Sequence, residues 1–93
     1  MPRSARRDRN RELFRQVNEK IEGLDRFRSE GKLSLICECH ELGCGDLIEV
    51  PVAVYATLKE EGAFVVVRGH EDPKHEHVVD HGWFLVVRER QPA

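Results

Sequence analysis

The chain reads Cys37-Glu38-Cys39-His40-Glu41-Leu42-Gly43-Cys44-Gly45 at the point on which its fold depends. This stretch holds all three cysteines of the protein and follows the apolar run Leu33-Ser34-Leu35-Ile36, which is typical of a β-strand. The predicted strand covers Leu33–Cys39. Because side chains alternate along a strand, Cys37 and Cys39 would share a face with the two leucines. Two sulfurs would therefore project in one direction from the end of a core-facing strand.

The turn after this strand can bring the third sulfur to the first two. Glycines at positions 43 and 45 leave the backbone around Cys44 unhindered. Three converging thiolates predict a metal site that lacks one ligand, and soft sulfur ligands in a tetrahedral site favour zinc. Two alternatives stay open: cysteines that serve as small buried hydrophobic residues, or a disulfide with one leftover thiol.

Five histidines could supply the fourth ligand: His40, His70, His75, His77 and His81. His70 is favoured because it follows a predicted strand past Gly69, where a glycine lets the backbone turn sharply toward the cysteine loop. His40 adjoins Cys39, and adjacent residues rarely bind one ion well. The other three lie in predicted turns, and a carboxylate or water is the last alternative. The second nitrogen of the ligand imidazole should contact a carboxylate, for which Glu71 and Asp72 are the nearest candidates.

Length and charge bound the architecture. A chain of 93 residues forms one domain with a small core, so a metal would compensate for limited apolar burial. Residues 1–30 carry a net charge of +3 and residues 31–93 a net charge of −5. Most of the positive excess lies in the first fifteen residues, which predicts a basic arm on an acidic body.

The predicted fold class is α+β. It has an N-terminal amphipathic helix followed by a small, mostly antiparallel sheet with one short helix and a zinc knuckle. The predicted domain plan is a basic flexible arm over residues 1–7, a helix over 8–30 and a small zinc-binding domain over 31–90. The remaining predicted elements are a strand over Asp46–Val50, a helix over Pro51–Glu61, a central strand over Ala63–Val67 and a hairpin of His77–Val79 with Trp83–Val87.

The N-terminal helix carries a narrow apolar stripe at three- and four-residue steps: Leu13, Phe14, Val17, Ile21 and Leu24. One interpretation is that the stripe packs on the chain's own sheet. The other is that residues 8–28 pair with a second copy or a partner helix, because seven-residue spacing suits a coiled-coil seam. Gly23 within the pattern allows an earlier end or a bend.

These features resemble a group of short, mostly uncharacterised actinobacterial zinc-knuckle proteins. The residues that carry the resemblance are Arg11-Glu12-Leu13-Phe14, the C-x-C-x4-C cysteines, the Pro51–Glu61 helix and Gly69-His70-Glu71. The resemblance covers about Asp8 to Val87. It implies a small zinc-binding module with the ligands Cys37, Cys39, Cys44 and His70. It implies no activity.

The sequence indicates a non-enzymatic protein. A site of three cysteines and one histidine would be filled, and the chain contains no H-E-x-x-H motif, serine nucleophile elbow or phosphate-binding glycine loop. The favoured function is a structural zinc module that contacts a protein partner through its N-terminal helix. No apolar run is long enough to span a membrane, and no secretory signal precedes the domain, so a reducing cytoplasm is the expected location.

Two other functions remain open. One is nucleic-acid binding through the arginine-rich arm, for which the candidate residues are Arg3, Arg6, Arg7, Arg9 and Arg11. Against it, Trp83 and Phe84 are better explained as hairpin core than as a platform for stacking bases. The other is a thiol switch in which oxidation ejects zinc.

Overall fold

The predicted α+β class is confirmed by a computed structural model. The structure describes residues 3–24, 28–41 and 44–90 of the chain. Side chains are described for residues 9–24, 29–41 and 44–90. The elements in chain order are α1 (Arg3–Glu22), β1 (Arg28–Ser29), β2 (Lys32–Ile36), β3 (Leu47–Pro51), α2 (Val52–Glu60), β4 (Phe64–Val66), β5 (Glu76–Asp80) and β6 (Leu85–Glu89). They form two three-stranded antiparallel sheets, with strand orders β1-β2-β3 and β4-β6-β5.

The first sheet contains the predicted hairpin of β2 and β3. Leu35 lies opposite Ile48 and Leu33 opposite Val50, so the buried side chains of the two strands share one face. The predicted strand over Leu33–Cys39 ends earlier, at Ile36. Cys37 extends the pairing by one bond, because its N–H donates to the Asp46 carbonyl at 2.8 Å.

In the second sheet, the prediction that residues 63–67 form the central strand is wrong. The strand covers only β4, which lies at an edge, and β6 is central. The outer edge of β4 is covered by residues 36–40, which we call the cysteine segment. The Glu38 N–H donates to the Val65 carbonyl at 2.7 Å, and the Val67 N–H donates to Cys37 Sγ at 3.2 Å. The apolar run is therefore buried on both sides without being a central strand.

The helix α1 also differs from its predicted limits. It begins at Arg3, inside the predicted arm, and ends at Glu22 rather than near residue 30. Gly23 follows directly, so the earlier end that its low helix propensity allows is the one observed. Residues 1–2 and 25–27 lie outside the described part of the chain, while residues 28–29 form β1.

The predicted hairpin at the end of the chain is present as β5 and β6. Phe84 is buried, as predicted, but the placement of Trp83 in the hairpin core is wrong, because this side chain is 89% exposed. The reason is register: the strand ladder starts at the Asp80–Leu85 pair, so Trp83 lies in the turn.

The predicted helix over Pro51–Glu61 is present as α2, and its side chains Tyr55 and Leu58 are buried. Pro51 is not part of this helix, because it is the last residue of β3.

The apolar stripe of α1 is divided between two environments. Phe14 is buried and Ile21 packs against the core, as packing on the chain's own sheets requires. Leu13, Val17 and Leu24 are 48%, 38% and 41% exposed. Polar side chains occupy much of the buried face of α1, and they contact the cysteine segment.

Within the described ranges, neither helix is sufficiently long and apolar to cross a lipid bilayer.

Candidate metal centre

The structure brings Cys37, Cys39, Cys44 and His70 together. One ligand atom from each residue, the Sγ of a cysteine or a ring nitrogen of the histidine, lies within 4.8 Å of all the others. His70 Nδ1 lies 3.6 Å from Cys37 Sγ and 3.4 Å from Cys44 Sγ. This is the one group of potential metal ligands found among the described residues.

These sulfur–nitrogen distances fit a tetrahedral zinc site. Zinc binds cysteine sulfur at about 2.3 Å and histidine nitrogen at about 2.0–2.1 Å. In a tetrahedron with those bond lengths, a sulfur and a nitrogen on the same ion lie about 3.5 Å apart. The two distances in the structure bracket that separation, and all four ligand atoms lie within 4.8 Å of one another, so the cluster is close enough to hold one metal ion.

The ligands come from three segments that the fold places side by side. Cys37 and Cys39 follow the end of β2. The hydrogen bond from Cys37 to Asp46 brings the other arm of the loop, with Cys44, back to them. His70 follows β4, and Gly69 before it adopts a φ of 100°, which favours glycine and confirms the predicted sharp turn.

Burial shapes the chemistry of the thiols. Cys37 and Cys39 are buried and Cys44 is half-buried. Burial raises the pKa of Cys37 far above the usual thiol range and also raises the pKa of Cys39. Both residues are therefore neutral thiols near neutral pH when no metal is bound. A metal ion would have to displace their protons, because the thiolate is the form that binds.

A carboxylate does lie near the outer nitrogen of His70, but it belongs to Asp46. Asp46 Oδ2 is 3.8 Å from His70 Nε2. The expectation that Glu71 or Asp72 takes this place is wrong: Glu71 accepts a hydrogen bond from the Gly69 N–H, and Asp72 contacts His75 Nδ1 at 2.8 Å. The contact from Asp46 crosses between loops, so spacing along the sequence could not reveal it.

The other four histidines lie outside the cluster. His40 turns away from its neighbour Cys39, with Nε2 at 3.5 Å from Glu76 Oε2. His81 stacks on Phe84 with 5.2 Å between ring centroids. His75 and His77 are exposed. The predicted preference for His70 thus agrees with the geometry of the cluster.

Between two of the cysteines lies a buried carboxylate that the sequence analysis missed. Glu38 is fully buried and accepts hydrogen bonds from the following five donors: Arg15 Nε at 2.8 Å, Arg15 Nη2 at 2.9 Å, Asn18 Nδ2 at 3.0 Å, the Tyr55 hydroxyl at 2.7 Å and the Val65 N–H at 2.9 Å. Burial raises the pKa of Tyr55, and the Glu38 charge raises it further, so the hydroxyl keeps its proton and donates. Glu38 therefore joins α1, α2 and β4.

Polar side chains of α1 also bind the backbone on either side of Glu38. Arg11 Nε donates to the Glu38 carbonyl at 2.8 Å. Asn18 makes a pair of bonds with Ile36, donating to its carbonyl and accepting from its N–H, each at 2.8 Å. Asn10 donates to the His40 carbonyl at 3.1 Å. The polar face of α1 is thus complementary to residues 36–40, the segment that contains two of the candidate ligands.

Arg11 lies in a second buried ion pair. Its Nη1 is 2.6 Å from Glu76 Oε2, both side chains are 1% exposed, and the guanidinium lies over the Phe64 ring. Burial alone would raise the pKa of Glu76, but His40, the Asp72 N–H and Arg11 outweigh it and lower this pKa below 4.5. Arg11 is therefore unavailable to a phosphate, which contradicts its assignment to a nucleic-acid surface. The side chains of Arg3, Arg6 and Arg7 lie outside the described residues.

A signal for this polar face does exist in the sequence. Residues 11, 15 and 18 follow the helical steps of four and three, which place them on one side of a helix. Arginine on an exposed helix is common, however, and long charged side chains are rarely buried unless they are paired. The pattern becomes informative only when the buried carboxylates Glu38 and Glu76 are known.

No protein-family model matches the chain, and no curated protein or solved structure matches it either. The function of the metal centre therefore has to be argued from the chain's own residues.

Proposed function

We propose that the protein is a small non-enzymatic module that binds one structural zinc ion through Cys37, Cys39, Cys44 and His70. The observation that carries this proposal is the convergence of three sulfurs and one imidazole nitrogen at separations suited to a single tetrahedral ion. The earlier resemblance to actinobacterial zinc-knuckle proteins has the same implication and stays a prediction.

The donor set favours a structural role over a catalytic one. A catalytic zinc keeps an open position for water and is usually bound by histidines or carboxylates. Four protein ligands fill the tetrahedron, and three thiolates would leave little positive charge to activate a water. Two of the sulfurs are buried as well, which limits access for a substrate.

Metal analysis of purified protein that was never exposed to chelators tests the zinc site. We expect one zinc per chain, and we expect His70→Ala to weaken zinc binding by more than the roughly 10–100-fold that loss of an outer-shell partner costs. His77→Ala is the matched control, because His77 is exposed and outside the cluster. A metal-free protein, or equal losses in the two variants, would contradict the site.

We further propose that α1 mediates contact with a second copy of the chain or with a partner helix. The support is an exposed apolar row that consists of Leu13 and Val17 on α1 and Leu24 just beyond the end of this helix. Sedimentation over a range of concentrations tests the self-association form. We expect a dimer that the double change Leu13→Ser with Val17→Ser weakens, whereas Gln16→Ser does not; a monomer at every concentration would contradict it.

Nucleic-acid binding is the second candidate. Its support is that α1 begins at Arg3, so residues 3, 6 and 7 are spaced three and four apart on one helix, which would gather basic residues on one side. Titration with DNA and RNA at low salt tests it. We expect binding that weakens steeply as salt is added, and no retardation by either nucleic acid would remove this candidate.

The thiol switch has less support, because a redox-sensing cysteine needs a lowered pKa and burial raises the pKa of Cys37 and Cys39. Three free cysteines suit a reducing compartment, so the cytoplasm is the location we propose.

A further inference from the structure

The helix α1 is attached mainly to the part of the chain that would bind metal. Asn10, Arg11, Arg15 and Asn18 each make a polar contact with residues 36–40. Within this segment Glu38 stands between the candidate ligands Cys37 and Cys39, so a shift of the two cysteines would also move the acceptors of Glu38. The binding site for α1 and one half of the metal centre are therefore the same five residues.

We propose that metal binding controls the docking of α1, so that loss of the metal releases this helix from the body of the protein. This inference rests on the proposed zinc site and adds a regulation to it. With metal bound, α1 is held with its apolar row facing outward. Without metal, the Cys37–His40 backbone keeps its hydrogen bonds to Asp46 and Val65 but loses the link to Cys44 and His70, so the acceptors for α1 are held less tightly.

The other contacts that fasten α1 lie at separate points: Arg15 also donates to the Ala63 carbonyl, Arg11 also pairs with Glu89, and both guanidinium groups lie over the Phe64 ring. Phe14 is its one buried apolar residue among those described, and Ile21 packs on the core from its partly buried position. Glu22 pairs with Lys59 at the end of the helix, and Arg11 pairs with Glu76. Hydrogen bonds to misplaced acceptors are lost together, because their geometry is strict. We therefore expect α1 to be the element most sensitive to the metal.

The second sheet depends less on the metal. Its strands β4, β5 and β6 form two continuous antiparallel ladders, and Val65, Val86 and Leu58 belong to the hydrophobic core that it shares with the first sheet. Its contacts with the cysteine segment are the edge of β4 and, at the start of β5, Glu76 Oε2, which lies 3.5 Å from His40 Nε2. Metal removal should thus separate the chain into an unprotected α1 and a protected β5–β6 hairpin, which global unfolding would not do.

Hydrogen exchange of the full-length protein tests this separation. Zinc stoichiometry is first measured, and exchange is then followed with zinc bound and after chelation. We expect amides in residues 9–22 to exchange at least about tenfold faster without zinc while those in β5 and β6 keep most of their protection. Unchanged protection in α1, or an equal loss in α1 and the hairpin, would overturn the proposal. Absence of zinc at the start would instead overturn the metal site itself.

Thermodynamic linkage gives a second test, in which zinc affinity is measured in variants of α1. If α1 docked independently of the metal, these variants would leave zinc affinity unchanged. If zinc favours docked α1, docked α1 must favour zinc by the same factor. Asn18→Ala removes bonds to Ile36 and Glu38 without touching a ligand, and we expect it to lower zinc affinity about tenfold in a chelator competition.

Gln16→Ala is the matched control, because Gln16 is exposed on the same helix. We expect its zinc affinity to equal that of the unaltered chain. Should Asn18→Ala fail to fold, Asn10→Ala removes a single bond, to the His40 carbonyl, and is expected to shift zinc affinity in the same direction by a smaller factor. Unchanged zinc affinity in a folded Asn18 or Asn10 variant would overturn the linkage.

Discussion

At the scale of single residues, the segment that contains Cys37 and Cys39 is organised around the buried side chain of Glu38. Burying a carboxylate is unfavourable unless its oxygens are paired and hydrogen-bonded. Both oxygens of Glu38 are satisfied, and its bidentate contact with Arg15 is the strongest kind of pairing available to a carboxylate. Despite burial, this contact also raises the pKa of Arg15, so the guanidinium stays charged. The pair is stable only while both partners are present.

Removing Arg15 should therefore be severely destabilising. We expect Arg15→Ala to lower the free energy of unfolding by about 3–5 kcal/mol, because it leaves the Glu38 charge buried without its main partner. Urea unfolding of the zinc-loaded protein measures the change. Lys20→Ala, an exposed change on the same helix, should stay within about 0.5 kcal/mol of the unaltered chain. A loss below about 1 kcal/mol for Arg15→Ala would show that Glu38 is not a buried charge.

Asp46 is expected to orient His70. Contact of a carboxylate with the outer nitrogen of a ligand histidine fixes the ring and makes the metal-binding nitrogen more basic. Asp46 Oδ2 lies 3.8 Å from His70 Nε2, beyond hydrogen-bond distance, so we expect Asp46→Ala to weaken zinc binding by no more than about tenfold in a chelator competition. Asp72→Ala should leave zinc affinity unchanged, because Asp72 contacts His75 instead. Equal effects of the two changes would contradict this role.

How far the sequence predicts these residues depends on the distance over which they act. The cysteine spacing and the glycine before His70 are local, so the four members of the cluster could be named from the sequence. Glu38 and Asp46 acquire their roles from partners on other elements, at contacts that no spacing rule encodes. The carboxylates next to His70 in the sequence, Glu71 and Asp72, are not the one that lies near its outer nitrogen.

At the scale of elements, α1 differs from the usual amphipathic helix, because it buries several polar side chains and exposes two apolar ones. Its buried face contains Arg11, Arg15 and Asn18, and its exposed face contains Leu13 and Val17. The stripe predicted the existence of the helix correctly, since apolar periodicity signals a helix whichever way it faces. It could not predict the orientation, which is decided by the buried carboxylates of the body.

The contact between α1 and the β5–β6 hairpin should be sensitive to acid. The pKa of Glu76 in the folded chain is lowered, so this residue stabilises the fold above its ordinary value of 4.5 and loses that contribution as pH falls through the lowered value. We expect the unaltered chain to lose more stability than Glu76→Gln on acidification from neutral pH. Unfolding by urea at a series of pH values measures both, and parallel losses in the two proteins would contradict the prediction.

Two errors at this scale have a common origin. Continuous apolar sequence indicates burial on both faces, which predicts a central strand over residues 63–67. Aromatic residues are usually buried, which predicts that Trp83 lies in the hairpin core. In each case the position is set by strand pairing, which the residue types do not reveal. The apolar run is buried because the cysteine segment covers the edge of β4, and Trp83 is exposed because it lies just outside the β5–β6 ladder.

At the scale of the whole molecule, the metal would join the two sheets at one edge of the hydrophobic core that they share. The ligands come from the end of β2, from the loop before β3 and from the turn after β4, so one ion would connect the two sheets. In such a domain, the free energy of metal binding is also free energy of folding. The paired carboxylates beneath α1 add connections between the same elements.

Zinc affinity should therefore rise with pH. Burial raises the pKa of Cys37 and Cys39, so both protons are still present near neutral pH and must leave when zinc binds. Each proton released steepens the dependence by about one power of ten per pH unit, so we expect an increase of at least about a hundredfold per unit between roughly pH 6 and 8, and any proton that Cys44 releases adds to it. Chelator competition across that range measures the slope. A slope near zero would mean that the thiols are not the ligands.

The exposed position of Trp83 has a practical consequence for following this protein by optical methods. The chain contains one tryptophan, and its indole is almost fully in contact with water in the native state. Its emission should be red-shifted before any denaturant is added and should move little as the chain opens. Intrinsic fluorescence would consequently under-report the loss of structure, whereas circular dichroism in the far ultraviolet would register the melting of α1 and α2.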